Sequence, residues 1–140
     1  MLGLAAPAFA ANRVPSGATR VSVTLTFAPT SGTHQPEHRT YTKAKTVDDV
    51  VNATDALALA KIRGACPMIM RLGPELTVVF RNSSGAELAT ETVQVVDGTK
   101  GDSGSSACFP IRFTSAGKGQ SLLGNNFVRM MGRLLGTAIS

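Results

Sequence analysis

Alternating apolar and hydroxyl side chains give the clearest signal in the chain. The segment from Val21 to Phe27 has the sequence VSVTLTF, in which every second residue is apolar. This period-two alternation is typical of a β-strand with one face on a core. Residues 28–36 are rich in Pro, Gly, Ser and Thr, which favour turns, and a return strand is predicted at His38–Thr42. We therefore expect a hairpin with a long loop.

A helical pattern follows and predicts a helix from Val47 to Leu59. Thr46 with Asp49 three residues later has the form of a capping box at its start. Apolar and small residues then recur at helical spacing, which predicts one buried face. These residues are Val47, Val50, Val51, Thr54, Leu57 and Ala58.

Three further strands and a second helix are predicted in the rest of the chain. The strands cover residues 76–80, 87–96 and 108–113, and Gly85 supplies the turn of a hairpin between the first two. Residues 97–106 contain Gly, Ser and charged side chains and are expected to form a surface loop. A C-terminal helix is indicated by a helical stripe of Leu123, Phe127, Met130, Met131 and Leu134.

This order of elements predicts an α+β fold. We expect a two-layer sandwich in which two helices cover an antiparallel sheet of about five strands. The 140 residues, 43% of them hydrophobic, fit a single domain with a modest core. The formal charge of +5 is spread from Arg13 to Arg133 without a cluster, so no nucleic-acid partner is expected.

The N-terminal residues indicate export. Residues 1–10 are uncharged and apolar, and Ala8-Phe9-Ala10 has the small-x-small form of a signal-peptidase site. We interpret 1–10 as the remnant of a signal peptide and 11–140 as one secreted, extracellular domain; a frayed apolar N-terminus is the alternative. Elsewhere, no apolar run approaches the roughly 18 residues of a transmembrane segment.

Two cysteines, Cys66 and Cys108, are the only ones in the chain. In an exported protein, a lone pair is most simply explained as a disulfide. A metal site is the weaker interpretation, because the spacing of these cysteines with His34 and His38 does not suit tetrahedral zinc. Pro36 also opposes a helix that would bring the two histidines onto one face. No metal and no cofactor are predicted.

Sequence motifs that would indicate an enzyme are weak in this chain. Gly101-Asp102-Ser103-Gly104 matches the four letters around the nucleophile of chymotrypsin-like proteases, but that chemistry needs a histidine base held by a carboxylate, and nothing in the sequence matches those parts. A polar loop explains the match. An enzyme would instead require a pocket that collects Asp48, Asp49, His34 or His38, and we predict a non-enzymatic protein.

The segment around Cys66 has two interpretations. Pro67 and a disulfide at Cys66 would stiffen a loop carrying Met68 and Ile69, and such a preorganised loop can enter a protease active site and resist cleavage. Alternatively, the segment is an anchored crossover in which Met68 and Ile69 pack inward.

Taken together, several segments resemble a group of secreted proteins and lipoproteins of actinobacteria. They are TYTKAKTVDDVVNATDAL, ACP at Cys66, LTVVFRNSSGAEL, the cysteine at 108 and NNFVRMMGRLLG. That group has no established activity, so the resemblance implies compartment and fold type only.

A partial resemblance to the Streptomyces subtilisin inhibitor family is carried by VTLTFAPTSGTH at 23–34 and CPMI at Cys66–Ile69. It implies that Met68 occupies the protease specificity pocket, that Ile69 follows the scissile bond, and that Cys66 with Cys108 anchors the loop. Phe27 stands where that family has a cysteine. We thus expect a secreted binding or envelope-associated module with an unidentified extracellular partner, and as the alternative an inhibitor of subtilisin-like proteases.

Overall fold

The structure is a computed structural model that describes residues 13–27, 35–60, 71–97, 103–104 and 110–136. Eight strands and two helices follow one another along these residues. They are β1 (Arg20–Thr26), β2 (Glu37–Tyr41), α1 (Ala44–Asp55), β3 (Ala58–Leu59), β4 (Arg71–Arg81), β5 (Glu87–Asp97), β6 (Ser103–Gly104), β7 (Ile111–Ser115), β8 (Lys118–Leu123) and α2 (Asn125–Leu135).

All described strands belong to one antiparallel sheet. Its order is β2-β1-β4-β5-β7-β8-β3, and the two-residue β6 pairs with β5 beside this path. The α+β class and the two helices are confirmed, but the prediction of about five strands is wrong, because seven strands lie on the main path. The predicted hairpins β1–β2 and β4–β5 are both present.

One face of the sheet carries the core. In β1, Val21, Val23 and Leu25 are buried while the intervening residues are not, as the alternation predicts. The same parity continues across β4, β5, β7 and β8, and the buried side chains of both helices join the same cluster. The helices therefore form a single layer on one face of the sheet.

The opposite face of the sheet is polar. Ser22 and Thr24 of β1 point to this side, where Ser22 Oγ lies 3.3 Å from Thr40 Oγ1 and Thr24 Oγ1 lies 2.7 Å from His38 Nδ1 of β2. An antiparallel sheet with one face on the core and one in water accounts for this division.

The first helix begins and ends earlier than its sequence pattern predicts. Its N-cap residue is Lys43, whose side chain makes no cap hydrogen bond, and Thr46 lies inside the first turn. The predicted capping box is thus wrong. Val47, Val50 and Thr54 are buried as expected, but the chain leaves the helix after Asp55, so Leu57 is buried from the connection to β3.

The extra strands come from segments without strong alternation. Ala116 and Gly117 have φ values of 53° and 76°, which suit the tight turn of a two-residue hairpin, and this turn returns the chain as β8 beside β7. Leu123 ends β8 and α2 begins at Asn125, so Leu123 does not belong to the helical stripe. Part of the expected 97–106 loop is also strand, since Ser103–Gly104 forms β6.

The second helix packs on the core and contacts the edge strand β2. Its buried residues are Phe127, Val128, Met131 and Leu135. Near its C-terminal end, Tyr41 of the edge strand β2 donates a hydrogen bond from its hydroxyl to the carbonyl of Leu134 at 2.9 Å. Among the described residues, neither helix has the length and apolar character needed to cross a bilayer.

Candidate functional site

Most of the sequence-predicted site residues lie outside the described part of the chain. These are the signal-peptide remnant 1–10, His34, the four residues Cys66, Pro67, Met68 and Ile69, and Cys108. The predicted disulfide and the predicted reactive loop therefore remain predictions. Next to the predicted reactive loop, the structure describes the strand that precedes it, β3, and the strand that follows it, β4.

Three residues named as possible members of an enzyme pocket are described. His38 faces the outer side of the sheet and contacts Thr24. Asp48 and Asp49 are exposed on α1 in the helix layer, and Asp49 accepts a hydrogen bond from Lys45 Nζ at 3.3 Å. The sheet separates the histidine from both aspartates, so these three residues do not form one site.

The described residues instead form an apolar groove between the C-terminal end of α1 and α2, which we call the α1–α2 groove. Its volume is about 360 Å³. On one side are Ala53 and Ala56, three residues apart, and on the other are Phe127, Met130 and Arg133 at the same spacing. Residues three apart share a helix face, so two such rows face each other. The remaining lining residues are Leu57, Ala58, Leu123 and Gly124.

The groove is open because small residues occupy its first wall, and its base belongs to the core. Leu57 and Phe127 are 5% and 3% exposed. Gly124, the N-cap residue of α2, passes so close to Leu57 that a Cβ atom on Gly124 would overlap the Leu57 side chain. The close approach fixes the end of α1 against the start of α2.

Of the described residues that line this groove, Arg133 is the one that is charged. It is exposed, in the last turn of α2. Among the described residues, its guanidinium has no ion-pair or hydrogen-bond partner within contact distance. As far as the structure describes its lining, the groove thus has an apolar body and one cation at one end.

A second polar arrangement lies at the end of α1. Asp55 Oδ1 accepts hydrogen bonds from the backbone N–H groups of Arg13 and Val14 at 2.9 and 3.0 Å. The Arg13 guanidinium in turn donates to the carbonyl oxygens of Thr54 and Asp55 at 3.3 and 2.8 Å. A cation at a helix C-terminus is favourable, and this contact fastens the segment before β1 to α1.

Beneath this arrangement lies a buried carboxyl group. Glu91 occupies the core face of β5 and is only 1% exposed. The Thr54 hydroxyl hydrogen-bonds to Glu91 Oε1, and within the described residues the buried Oε2 has no partner. Burial raises the pKa of Glu91 from its ordinary 4.5 to about 8, the hydrogen bond from Thr54 lowers it, and the charges of Asp55 and Arg13 raise and lower it respectively.

The alternation of β5 contains a signal for Glu91, although no sequence motif marks this residue. Ala89, Val93 and Val95 mark the buried parity of β5, and Glu91 falls on the same parity. A charged residue at an apolar position of an alternating strand is informative, since Glu is almost never fully buried unless its charge is compensated. The groove, by contrast, cannot be recognised from a sequence motif, because it forms only where α1 and α2 pack side by side.

These geometries differ in what they can do chemically. A general acid or base must reach its substrate through a hydrogen bond, and Glu91 is enclosed by the core. The α1–α2 groove is open and its described lining is apolar with one charge, which suits binding. Comparison with protein-family models, with curated proteins and with solved structures found no match.

Proposed function

We propose that this protein is a secreted, non-enzymatic binding module and that the α1–α2 groove is its binding site. The observation that carries the proposal is a preformed concave surface whose apolar base is part of the core, with Leu57 and Phe127 almost fully buried. Its volume of about 360 Å³ falls in the range of small-molecule sites, which are mostly apolar with few polar groups.

Two further features support parts of this proposal. Secretion is supported by the sequence of residues 1–10, which ends in a small-x-small motif. A non-catalytic role is supported by the enclosure of Glu91, a described acid whose pKa is raised by burial to about 8. The protonation state of Glu91 changes the stability of the fold with pH. A ligand bound in the groove would not contact this residue.

A neutral apolar fluorophore, N-phenyl-1-naphthylamine, tests the groove without any contribution from charge. We expect its emission to rise on titration with the full chain and to saturate at one site. Ala56→Phe should abolish this response, because Ala56 is an exposed lining residue at the end of α1 and a phenyl ring there fills the groove. Ala86→Phe is the matched control, since Ala86 is an exposed alanine in the β4–β5 turn.

Binding that survives Ala56→Phe would place the apolar site elsewhere and contradict the proposal. Loss of binding in both variants would indicate a general effect of an added aromatic ring, and would also contradict it. Circular dichroism of each variant distinguishes a blocked groove from an unfolded domain.

The second candidate function is inhibition of subtilisin-like proteases by the segment Cys66–Ile69. The observation that favours it is that residues 61–70 join two strands of the same sheet, β3 and β4, which would hold both ends of a loop in fixed positions. Preorganisation of this kind lowers the cost of ordering a loop on binding. Titration of subtilisin with the oxidised chain tests it: a linear fall to zero near one equivalent, weakened by Met68→Gly, is expected, and digestion of the loop would refute it.

A further inference from the structure

The charge distribution along the α1–α2 groove indicates what kind of ligand fits it. Phe127 and Arg133 lie six residues apart on α2, which corresponds to roughly 9 Å along the helix axis. Between them the lining is formed by Met130 on one side and by alanines on the other. A ligand lying along the groove thus meets hydrocarbon over most of its length and a cation at one end.

We propose that the α1–α2 groove binds a single-chain amphiphile with an anionic headgroup, such as a fatty acid, with the headgroup at Arg133 and the chain directed toward Phe127 and Leu123. This inference rests on the proposed binding function and adds the chemical class of the ligand. A carboxylate and a phosphate monoester would both satisfy the guanidinium, since arginine pairs with either in a bidentate geometry.

The size of the groove favours such a ligand over a protein partner. A stable protein interface takes about 20–30 residues and roughly 800 Å² from each partner, whereas nine residues line this groove. A volume of about 360 Å³ matches one alkyl chain better than a helix or strand of another protein.

The charge on Arg133 is available to a ligand. The last turn of α2 has a partial negative charge of about half a unit from the helix dipole, and the full charge of the guanidinium outweighs it. Arg129, one turn earlier, is also exposed but does not line the groove. The two arginines therefore differ in their relation to the groove while sharing helix, charge and exposure.

Calorimetric titrations of the full chain with three ligands that share one alkyl tail separate the contribution of the headgroup charge to binding from that of the tail. Laurate has an anionic head, dodecanol a neutral head and dodecyltrimethylammonium a cationic head. We expect laurate to bind most tightly, dodecanol about fivefold more weakly, and the cationic analogue weakest of all, as a single partly exposed charge contact implies. Dodecyl phosphate against laurate distinguishes a phosphate source from a carboxylate source.

Variants of the two arginines assign the headgroup position. Arg133→Gln should weaken laurate by about fivefold and dodecanol much less, whereas Arg129→Gln should leave both unchanged. Equal affinity for the three ligands, or equal effects of the two variants, would overturn the headgroup assignment while leaving the proposed function intact.

Two results would overturn both proposals together. One is the absence of binding by any of the ligands and by the neutral fluorophore. The other is saturation only when a protein partner is added, which would make the groove part of a larger interface.

Discussion

The hydroxyl of Thr54 in α1 hydrogen-bonds to the carboxyl group of Glu91 in β5 in the interior of the domain. Both side chains are inaccessible to solvent, at 0% and 1% exposure. The bond connects the end of α1 to the centre of the sheet, directly beneath the Arg13–Asp55 contacts. Because a buried carboxylate lacking a paired charge is costly, burial favours the protonated form of Glu91, whereas the hydrogen bond from Thr54 favours the charged form.

The stability of the domain should therefore depend on pH in the opposite direction from that of a salt-bridged acid. Folded Glu91 retains its proton up to a pKa of about 8, whereas the unfolded chain releases it near 4.5. The free energy of unfolding is thus highest below pH 4.5 as far as this group is concerned, and falls between pH 4.5 and 8 by up to about 1.4 kcal/mol per pH unit. Urea denaturation at pH 5, 6, 7 and 8 measures this slope.

Glu91→Gln tests the origin of that slope. The amide has no proton to release, so the variant should flatten the pH dependence and exceed the wild type in stability near pH 8. Glu87→Gln is the control, because Glu87 lies on the same strand but is exposed. An unchanged slope in Glu91→Gln would show that another group produces it.

Thr54→Val removes the hydroxyl while keeping the shape of the side chain. We expect a loss of roughly 1–3 kcal/mol in unfolding free energy, because both carboxyl oxygens of Glu91 then lie buried with no partner in the part of the chain that the structure describes. The pKa of Glu91 should rise further, since the bond from Thr54 lowers it. Carbon-detected NMR titration of Glu91 reports the pKa, and Thr92→Val on the other face of the sheet should change neither quantity.

Asp55→Ala should release the segment before β1. It removes the acceptor for the N–H groups of Arg13 and Val14, at an expected cost of about 1–2 kcal/mol. Hydrogen exchange at Val14 should accelerate, and the pKa of Glu91 should fall because a neighbouring negative charge is lost. Asp49→Ala breaks only an exposed pair with Lys45 and is expected to cost less than about 0.5 kcal/mol; equal effects of the two variants would refute the assignment.

Gly124→Ala should destabilise the junction between α1 and α2. The backbone at Gly124 is extended, which alanine adopts freely, so the cost comes from overlap with Leu57. We expect a loss of roughly 1–3 kcal/mol. The same substitution at Gly119, where a Cβ would meet atoms only at 3.9 and 4.0 Å, should be close to neutral.

A double-mutant cycle with Leu57→Ala checks this cause. Removing the Leu57 side chain eliminates the overlap, so Gly124→Ala should cost little in that background. An undiminished cost would mean that the effect arises from the backbone and not from Leu57.

The regular parts of the fold were predictable because their residues follow a clear period. The alternation in β1 identified Val21, Val23 and Leu25 as core residues, and the turn at Gly85 identified the β4–β5 hairpin. The segment KGQSLL of β8 has no such alternation, and its strand exists because the Ala116–Gly117 turn and pairing with β7 place it there. Tertiary context decides short segments of this kind.

The start of α1 was mispredicted for a related reason. Thr46 and Asp49 fit a capping box, but Ala44 and Lys45 have good helix propensity and extend the helix past it to a cap at Lys43. The groove was not predictable at all, since Ala53, Ala56 and Met130 become neighbours only through packing. Glu91 could have been identified, because its parity within β5 conflicts with its charge.

Methyl NMR of the full chain titrated with laurate tests the central claim most directly. We expect shift changes to concentrate on the methyl groups of Ala53, Leu57 and Met130 and to disappear in Ala56→Phe. Threonine methyls on the outer face of the sheet, such as those of Thr24 and Thr92, should not respond. Shift changes on that outer face, or no change at the groove, would contradict the assignment of the α1–α2 groove as the binding site.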